Sequence, residues 1–435
     1  MRVCLRKWIP FCIREALESC MPRTPALAAL AFLAAVAVAV GTAGAVATDR
    51  VADGDTDAST VDDGFPAVTT VPNTTNYLST ESTDRASYVR SDVDVAAAAG
   101  MSAQQLHARH DRGAFDARFE AAGSESDRVD LVRETANSTE SRIDRLDARH
   151  EALLAAYSNG TLSRETTIRR LARLSVAAGT ARATLQHVAD RVENTPGSVP
   201  VTLETRLSDL QNVLVTLPDP VEDRVEAGLA GERDPVVVYA GGTGNGLVLA
   251  TVDEGEFVRT ATARDDYAPD QPDQFEGGED RDVILALQRG GELYPWAYGN
   301  DIGGPQIRGF GSTGVYLIRV DYAHGDLRTY LSGGTTNAFH EIQTQDPEGV
   351  PTTDTTSTAA DSLNVTVETT TASGPMRVRL IQPSTNAPLN GTVLIDGQPV
   401  GETGDDGELW TVQPAGQFQV NATTGANSAE VAVSG

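Results

Sequence analysis

The chain contains 435 residues, with 61 Asp or Glu against 34 Lys or Arg, which gives a formal net charge of −27 at pH 7. A surface this acidic excludes nucleic acid as a favourable partner and disfavours anionic lipid, because both present phosphates to it. Lys7 is the single lysine, so arginine supplies nearly all of the positive charge.

The acid excess and the near absence of lysine predict adaptation to molar salt. At about 1 M salt the Debye length falls to about 3 Å, so repulsion among carboxylates is largely screened while their hydration keeps the protein soluble. High genomic GC content would also favour arginine over lysine. That alternative leaves the acid excess unexplained, and we interpret the chain as halophilic.

The N-terminal region has the composition of an export signal. Residues 26–47 contain no charged side chain, Arg23 precedes them, and small residues such as Ala43 and Ala45 stand near their end. This pattern predicts a leader or signal peptide over residues 1–47 and a location outside the cell or in the cell envelope. The alternative is an uncleaved anchor, in which case this segment alone would contact the membrane.

All three cysteines, Cys4, Cys12 and Cys20, lie inside the predicted leader. A chain without the leader would contain no cysteine. Disulfides, thiol nucleophiles and cysteine zinc sites are then excluded for the exported protein.

Residues 48–75 are rich in Asp, Thr, Ser and Gly, and we predict a disordered acidic linker. Asp53, Asp55 and Asp57 resemble the start of a calcium loop. The twelfth position is Gly64 instead of a bidentate Glu, so a solvated linker is favoured.

A helical hairpin or bundle is predicted over residues 76–220, with coiled-coil spacing of apolar residues. Ser124 and Ser163 suit helix N-caps, and the short connection at Asn159 and Gly160 favours an antiparallel pair. His150 falls on the first seam. Three tracks carry the pattern: Val129, Val132, Ala136, Ile143, Leu146, Leu153 and Tyr157; Leu171, Leu174, Ala178, Ala181, Leu185, Val188 and Val192; and Leu203, Leu207, Leu210, Leu214 and Leu217.

Residues 233–345 change to a period of two, which predicts an α+β domain with a helix at 280–289. The predicted strands are 236–239, 247–252, 257–263, 315–322, 327–331 and 339–342. The last three strands resemble PepSY-type domains, which place a helix against a curved antiparallel sheet. That resemblance implies a binding or regulatory module, with no catalytic residue to carry over.

Residues 346–362 read as a Thr-rich linker, and residues 363–435 as a small all-β sandwich. The predicted strands are 363–368, 376–381, 392–395, 408–412, 417–422 and 430–433. The run from Val393 to Gly401, followed by Asp405 to Trp410 and by Gly416 to Phe418, resembles carboxypeptidase-regulatory-like or transthyretin-like β-sandwiches, which implies an Ig-like β domain. Because the linker has few large apolar residues, we expect this domain to fold alone.

Few residues suggest chemistry, and we predict no catalytic, cofactor or metal site. His107 and His110 have a metal-compatible spacing but no third ligand placed by sequence. The glycine run 241–246 lies between two predicted strands, so it indicates a hairpin loop and not a phosphate site, which would need a following helix. Candidate glycosylation sequons stand at Asn73, Asn137, Asn159, Asn364, Asn390 and Asn421.

The whole layout resembles haloarchaeal exported or cell-surface proteins of unknown function. We expect a non-enzymatic envelope protein without a cofactor, which binds or spaces other envelope proteins. The alternative is a PepSY-type regulator or inhibitor of an exported peptidase. The sequence leaves the oligomeric state open.

Overall fold

The computed structural model describes residues 68–79, 84–195, 197, 199–216, 219–275, 281–360, 362–425 and 427–434. These described residues belong to one compact unit. The predicted leader, the first part of the predicted acidic linker with its three aspartates, and Leu217 lie outside the described residues.

Five helices form one layer of the unit, and local sequence signals set where they begin. Ser124 makes a capping box with Asp127, the Ser163 side chain accepts the N–H of Thr166, and Asp219 accepts two N–H groups at the start of the last helix. The helices are α1 Val95–Ala121, α2 Glu125–Ser158, α3 Arg164–Glu193, α4 Val201–Val213 and α5 Pro220–Ala230.

Helices α2 and α3 form the predicted antiparallel hairpin. Arg142 on α2 donates to the Thr180 hydroxyl on α3 at 2.6 Å, at nearly equal distances from the connecting turn. Most residues of the first two tracks are buried, although Val129 and Leu174 are only partly so. The third track ends as a short 3-10 turn over Leu214–Thr216, which follows α4.

The second layer is an eight-stranded antiparallel sheet in the order β3-β4-β5-β6-β10-β9-β8-β7. A separate two-stranded ribbon, β1 Val68–Thr69 and β2 Tyr77–Leu78, precedes it. The sheet strands are β3 Arg85–Arg90, β4 Val237–Gly242, β5 Gly246–Asp253, β6 Glu256–Ala263, β7 Gln306–Gly309, β8 Val315–Tyr322, β9 Gly325–Ser332 and β10 Ala338–Gln345.

The two faces of this sheet bury different partners because alternate residues point to opposite sides. Val238, Leu249 and Val258 pack against the helical layer. On the opposite face, Ile318 and Leu327 pack against α6 Arg281–Leu293 and α7 Pro295–Gly299. The α+β character and the six predicted strands of this region agree with the structure, and the predicted helix extends to Leu293.

The predicted disordered linker is wrong for residues 68–75. Residues 68–78, the N-terminal strap, cross the sheet on the face opposite the five helices. Val71, Thr75 and Leu78 are buried, and the Asn76 amide donates to the Leu293 carbonyl at 2.8 Å. The predicted helical segment 76–220 is also corrected: it begins with strands β2 and β3, and its last helix runs to Ala230. The composition suggested disorder because polar residues predominate, but the strap is stabilised by the sheet it crosses.

The C-terminal region is a β-sandwich of two four-stranded antiparallel sheets, in the orders β11-β12-β13-β16 and β15-β14-β17-β18. The predicted linker 346–362 is wrong here, because β11 pairs with β12 along its whole length. Strand β15 was also not predicted. The strands are β11 Asp354–Ala360, β12 Leu363–Thr369, β13 Pro375–Ile381, β14 Thr392–Ile395, β15 Gln398–Glu402, β16 Glu408–Val412, β17 Phe418–Thr424 and β18 Asn427–Val433.

The sandwich packs directly on the central sheet. Tyr88 and Tyr239 lie edge to face with ring centroids 5.5 Å apart, and together with Phe257 they join the buried core of the sandwich. The Tyr88 hydroxyl donates to the Val412 carbonyl. The backbone N–H of Tyr88 donates to the Gln398 side-chain oxygen at 3.1 Å. The sandwich and the central sheet therefore share one apolar core, which argues against the expectation that the sandwich folds alone.

Candidate functional site

The six sequons differ in how accessible the structure leaves them. Asn73, Asn137, Asn159 and Asn390 are exposed, and the Asn159 side chain accepts the N–H of Thr161 at 2.9 Å. The two other asparagines, Asn364 and Asn421, are half-buried in strands β12 and β17, and the Asn421 Oδ1 atom is buried without a partner among the described residues. These two positions are poorly suited to a glycan.

The other candidate motifs do not form sites. His107 and His110 are exposed on α1, and within the described ranges no group of three or more His, Cys, Asp or Glu is arranged to hold a metal ion. The glycine run ends β4 and begins β5, as predicted for a hairpin.

A buried ionic network lies at the centre of the sheet face opposite the five helices. Arg259 donates to Glu341 at 2.6 Å and to the Leu78 carbonyl at 3.0 Å, and its Nε donates to the Ser373 hydroxyl at 3.0 Å. The Tyr294 hydroxyl donates to Glu341 at 2.8 Å. Burial raises the pKa of Glu341, and the Arg259 charge opposes that rise. The network joins the strap, the sheet and the sandwich.

On the other side of the sheet, the helical layer covers a cavity of about 50 Å³, the inner chamber, which both apolar and polar side chains line. Helices α2, α3 and α5 form its roof, and strands β5, β6 and β10 form its floor. Its polar wall groups are His150, Ser175, Thr216, Asp219, Glu222, Thr260, Thr262 and His340. A cavity of this size holds a few water molecules, which need polar partners of this kind.

The ionisable groups of the inner chamber are shifted toward their neutral forms. Burial raises the pKa of Asp219 to about 6 and the pKa of Glu222 well above its usual value. Burial also lowers the pKa values of His150 and His340 to about 4. Burial removes water from all four side chains, so the charged form of each is less stable than it would be in solution.

His340 leaves one hydrogen-bonding atom free in this chamber. Its Nδ1 lies 3.0 Å from the Thr262 hydroxyl, while its Nε2 is buried and has no partner among the described residues. Whichever tautomer is present, Nε2 is a donor or an acceptor that needs one further group. A chamber water would satisfy it.

A larger and more open cavity of about 410 Å³, the outer cleft, lies between α1, α3 and α5. Ser175 and Ala178 belong to the walls of both cavities, so a single stretch of small residues on α3 separates them. Gly179 also lines the outer cleft, and a Cβ added to it would meet no atom within 4 Å. The small residues at these positions of α3 leave this space open.

The outer cleft brings together charges of both signs. Arg109 and Arg112 line it from α1, and Arg182 from α3, whereas Asp223 and Glu226 line it from α5. None of the five makes an ion pair within the part of the chain that the structure describes. The Glu226 carboxylate accepts the Gln105 amide at 3.1 Å, and burial followed by the Asp223 and Glu232 charges raises its pKa.

Sequence reasoning missed both cavities, although one signal was present. Residues 166–189 of α3 contain four arginines and no Asp or Glu, in a chain with a large acid excess. Of these four arginines Arg182 lines the outer cleft, and the small residues Ser175, Ala178 and Gly179 of the same stretch line it as well.

Comparisons with known families cover the chain in three parts. Residues 21–234 match a domain of unknown function (DUF7096), residues 238–351 match a family of unknown function (DUF7094), and residues 354–431 match an archaeal fibronectin-III type-like domain. The three matches are consistent with an archaeal family of unknown function. No characterised protein and no solved structure matches the chain.

One boundary between the matched segments coincides with a structural boundary, and another divides the central sheet. The last match, to an archaeal fibronectin-III type-like domain, agrees with the predicted small all-β sandwich. The junction between the first two matches lies just before β4, so the central sheet takes β3 from the first segment and its other strands from the second. In the described part of the chain, no helix has both the length and the apolar character needed to cross a membrane.

Proposed function

We propose that this chain is a non-enzymatic protein of a halophile's cell envelope, exported through residues 1–47, which binds or spaces other envelope proteins. The observation that carries the proposal is the fibronectin-III type-like match of residues 354–431, because β-sandwiches of this architecture occur in many cell-surface domains. Four exposed sequons and the charge-free segment 26–47 support the same location.

The contact between the sandwich and the sheet supports a rigid spacer. Tyr88, Tyr239 and Phe257 belong to the same buried cluster as the sandwich core, so the sandwich is held in one orientation. Because the apolar tracks of α2 and α3 are largely buried within the chain, the solvent-exposed faces of these helices would provide the contact with a partner. In this proposal the acidic surface keeps the protein soluble in molar salt and the helices provide the contact.

Labelling of intact cells with a membrane-impermeant amine or carboxyl reagent tests the location. Because Lys7 is the single lysine, carboxyl labelling is the appropriate choice, and exposed acids such as Glu134 should react. A cytoplasmic acidic protein from the same cells is the control. Labelling of this chain only after lysis would contradict the proposal, as would N-terminal sequencing that finds the chain intact from Met1 without membrane association.

A PepSY-type regulator is the second candidate. The observation that favours it is the packing of α6 against β7, β8 and β9. PepSY-type domains likewise place a helix against an antiparallel sheet. Purified protein added to the exported peptidases of the same cells should then reduce their activity. Unchanged peptidase activity over a range of protein concentrations would eliminate this candidate.

A further inference from the structure

We propose that the outer cleft binds a small zwitterion, a free amino acid or a short peptide that carries one carboxylate and one ammonium group. The inference is independent of the envelope role. It rests on the charges that line the cleft: three arginines on α1 and α3 and two carboxylates on α5 border one cavity of about 410 Å³.

Many arginines of the chain contact a carboxylate directly, whereas those of the cleft contact none in the described part of the chain. Arg118, Arg206 and Arg224, for example, each contact a carboxylate. In the cleft, by contrast, no guanidinium reaches Asp223 or Glu226 within the described residues. The opposite charges are too far apart for direct contact, so a ligand with its own two charges could bridge them.

The two walls suit the two ends of such a ligand. Arginine binds carboxylates through paired N–H donors, and Arg112 is half-buried, which reduces competition from water. On the other wall Glu226 has a raised pKa because burial and the neighbouring Asp223 disfavour its charge. An ammonium group placed there would relieve that repulsion.

The cavity has a size that is compatible with this class of ligand. Binding sites for small molecules usually enclose about 300–1,000 Å³, and the cleft falls in that range. Gly179 leaves its floor open. The inner chamber is far too small to hold the same ligand and is not part of the proposed site.

Calorimetric titration of the full chain in molar NaCl tests the proposal with four probes: L-alanine, L-alanyl-L-alanine, N-acetyl-L-alanine and L-alaninamide. The first two separate a free amino acid from a peptide as the ligand. The last two each lack one charge and should bind about tenfold more weakly or worse, because a charge-assisted hydrogen bond contributes about 1.5–3 kcal/mol.

Three variants locate the site. Arg112→Gln should weaken binding of the zwitterion and of N-acetyl-L-alanine, whereas Glu226→Gln should weaken binding of the zwitterion and of L-alaninamide. Gly179→Leu should abolish binding by filling the cleft without lowering stability, because leucine is a better helix former than glycine. Arg170→Gln is the matched control, since Arg170 is exposed on the same helix and does not line the cleft.

The results separate the alternatives. Binding of a zwitterion that Arg112→Gln and Gly179→Leu reduce, and that Arg170→Gln leaves unchanged, supports the proposal. Equal affinity for L-alanine and N-acetyl-L-alanine would overturn it in favour of a simple anion site. Absence of binding by both zwitterions, or binding that Gly179→Leu leaves intact, would also overturn it.

Discussion

Arg259 and Glu341 form an ion pair of 2.6 Å in which the two side chains are 3% and 0% exposed. The pair lies where three parts of the chain meet, because Arg259 also donates to the strap at Leu78 and to the sandwich at Ser373. Its position predicts that the strap, the sheet and the sandwich unfold together.

Replacement of one partner in this pair should be costly. Glu341→Gln leaves the Arg259 charge buried without its counter-ion, and we expect a loss of about 3–5 kcal/mol in the free energy of unfolding. Urea denaturation in molar salt measures it. Glu134→Gln, at the exposed pair with Arg118, is the control and should change stability by no more than about 0.5 kcal/mol. Equal effects of the two substitutions would show that the buried pair has no special role.

The glycine run offers a second matched comparison. A Cβ at Gly242 would lie 2.7 Å from Tyr157 Cδ1, and that ring is held by hydrogen bonds from its hydroxyl to Ala240 and with Ser87. Gly242→Ala should therefore cost about 1–3 kcal/mol of stability. Gly244→Ala meets no atom within 4 Å and should be nearly neutral. Thermal unfolding of the two variants in parallel measures the difference, and a neutral Gly242→Ala would contradict the close contact.

Removal of the sandwich should destabilise the rest of the protein. A chain that ends at Glu348 exposes Tyr88, Tyr239 and Phe257, and full burial of each large apolar side chain contributes about 1.5–3 kcal/mol. We expect a lower thermal transition than that of the full chain in the same salt. An unchanged transition would restore the independent folding that the sequence suggested.

Tyr88→Phe probes the same contact in the intact chain. The substitution removes the hydroxyl that donates to the Val412 carbonyl and leaves that buried acceptor unpaired. The expected loss in the free energy of unfolding is about 1–3 kcal/mol. Urea denaturation measures it, and a loss well below that range would show that the sandwich contact does not depend on this hydrogen bond.

The inner chamber predicts a pH dependence. The pKa of His340 is lowered to about 4 in the folded protein, whereas the usual pKa of histidine, about 6.5, applies to the unfolded chain. Between these two pH values the unfolded chain binds a proton at His340 and the folded protein does not. This histidine therefore makes stability fall as pH decreases from about 6.5 to about 4. His150 acts in the same direction, while Asp219 and Glu222 act in the opposite one.

The difference between wild type and His340→Gln isolates the contribution of His340. Wild type should lose stability relative to the variant as pH falls through this window, by a total on the order of 3 kcal/mol. Urea denaturation at several pH values in constant salt provides the curves. Parallel curves for the two proteins would show that His340 titrates alike in the folded and unfolded states.

Much of the secondary structure could be predicted because its causes are local. Ser124 and Ser163 cap helices through atoms three residues away, and β5 is a short apolar run that lies between the glycine run and the turn after Asp253. The hairpin at the glycine run was predictable for the same reason. Each of these signals lies within a few residues of the structure that it specifies.

Segments with polar composition were predicted wrongly because their partners are distant. Strand β11 is rich in Thr and Ser and reads as a linker, yet it pairs with β12. Residues 68–78 read in part as disordered, yet Asn76 and Leu78 bond to groups more than 200 residues away. The composition of a segment indicates how much conformational entropy it loses on ordering. It does not show which distant surface will pack against the segment.

The sequence by itself determined the acidic charge, the helical region, most of the strands that follow it and the helix caps, since neighbouring residues encode all of these. Only the tertiary structure decided that Arg259 meets Glu341, that the sandwich shares a core with the sheet, and that the outer cleft carries both signs of charge. Those features depend on which faces pack together. Packing brings together residues that are far apart in the chain, such as Arg112 and Glu226 of the cleft. No local period or spacing in the sequence predicts which of these distant residues will meet.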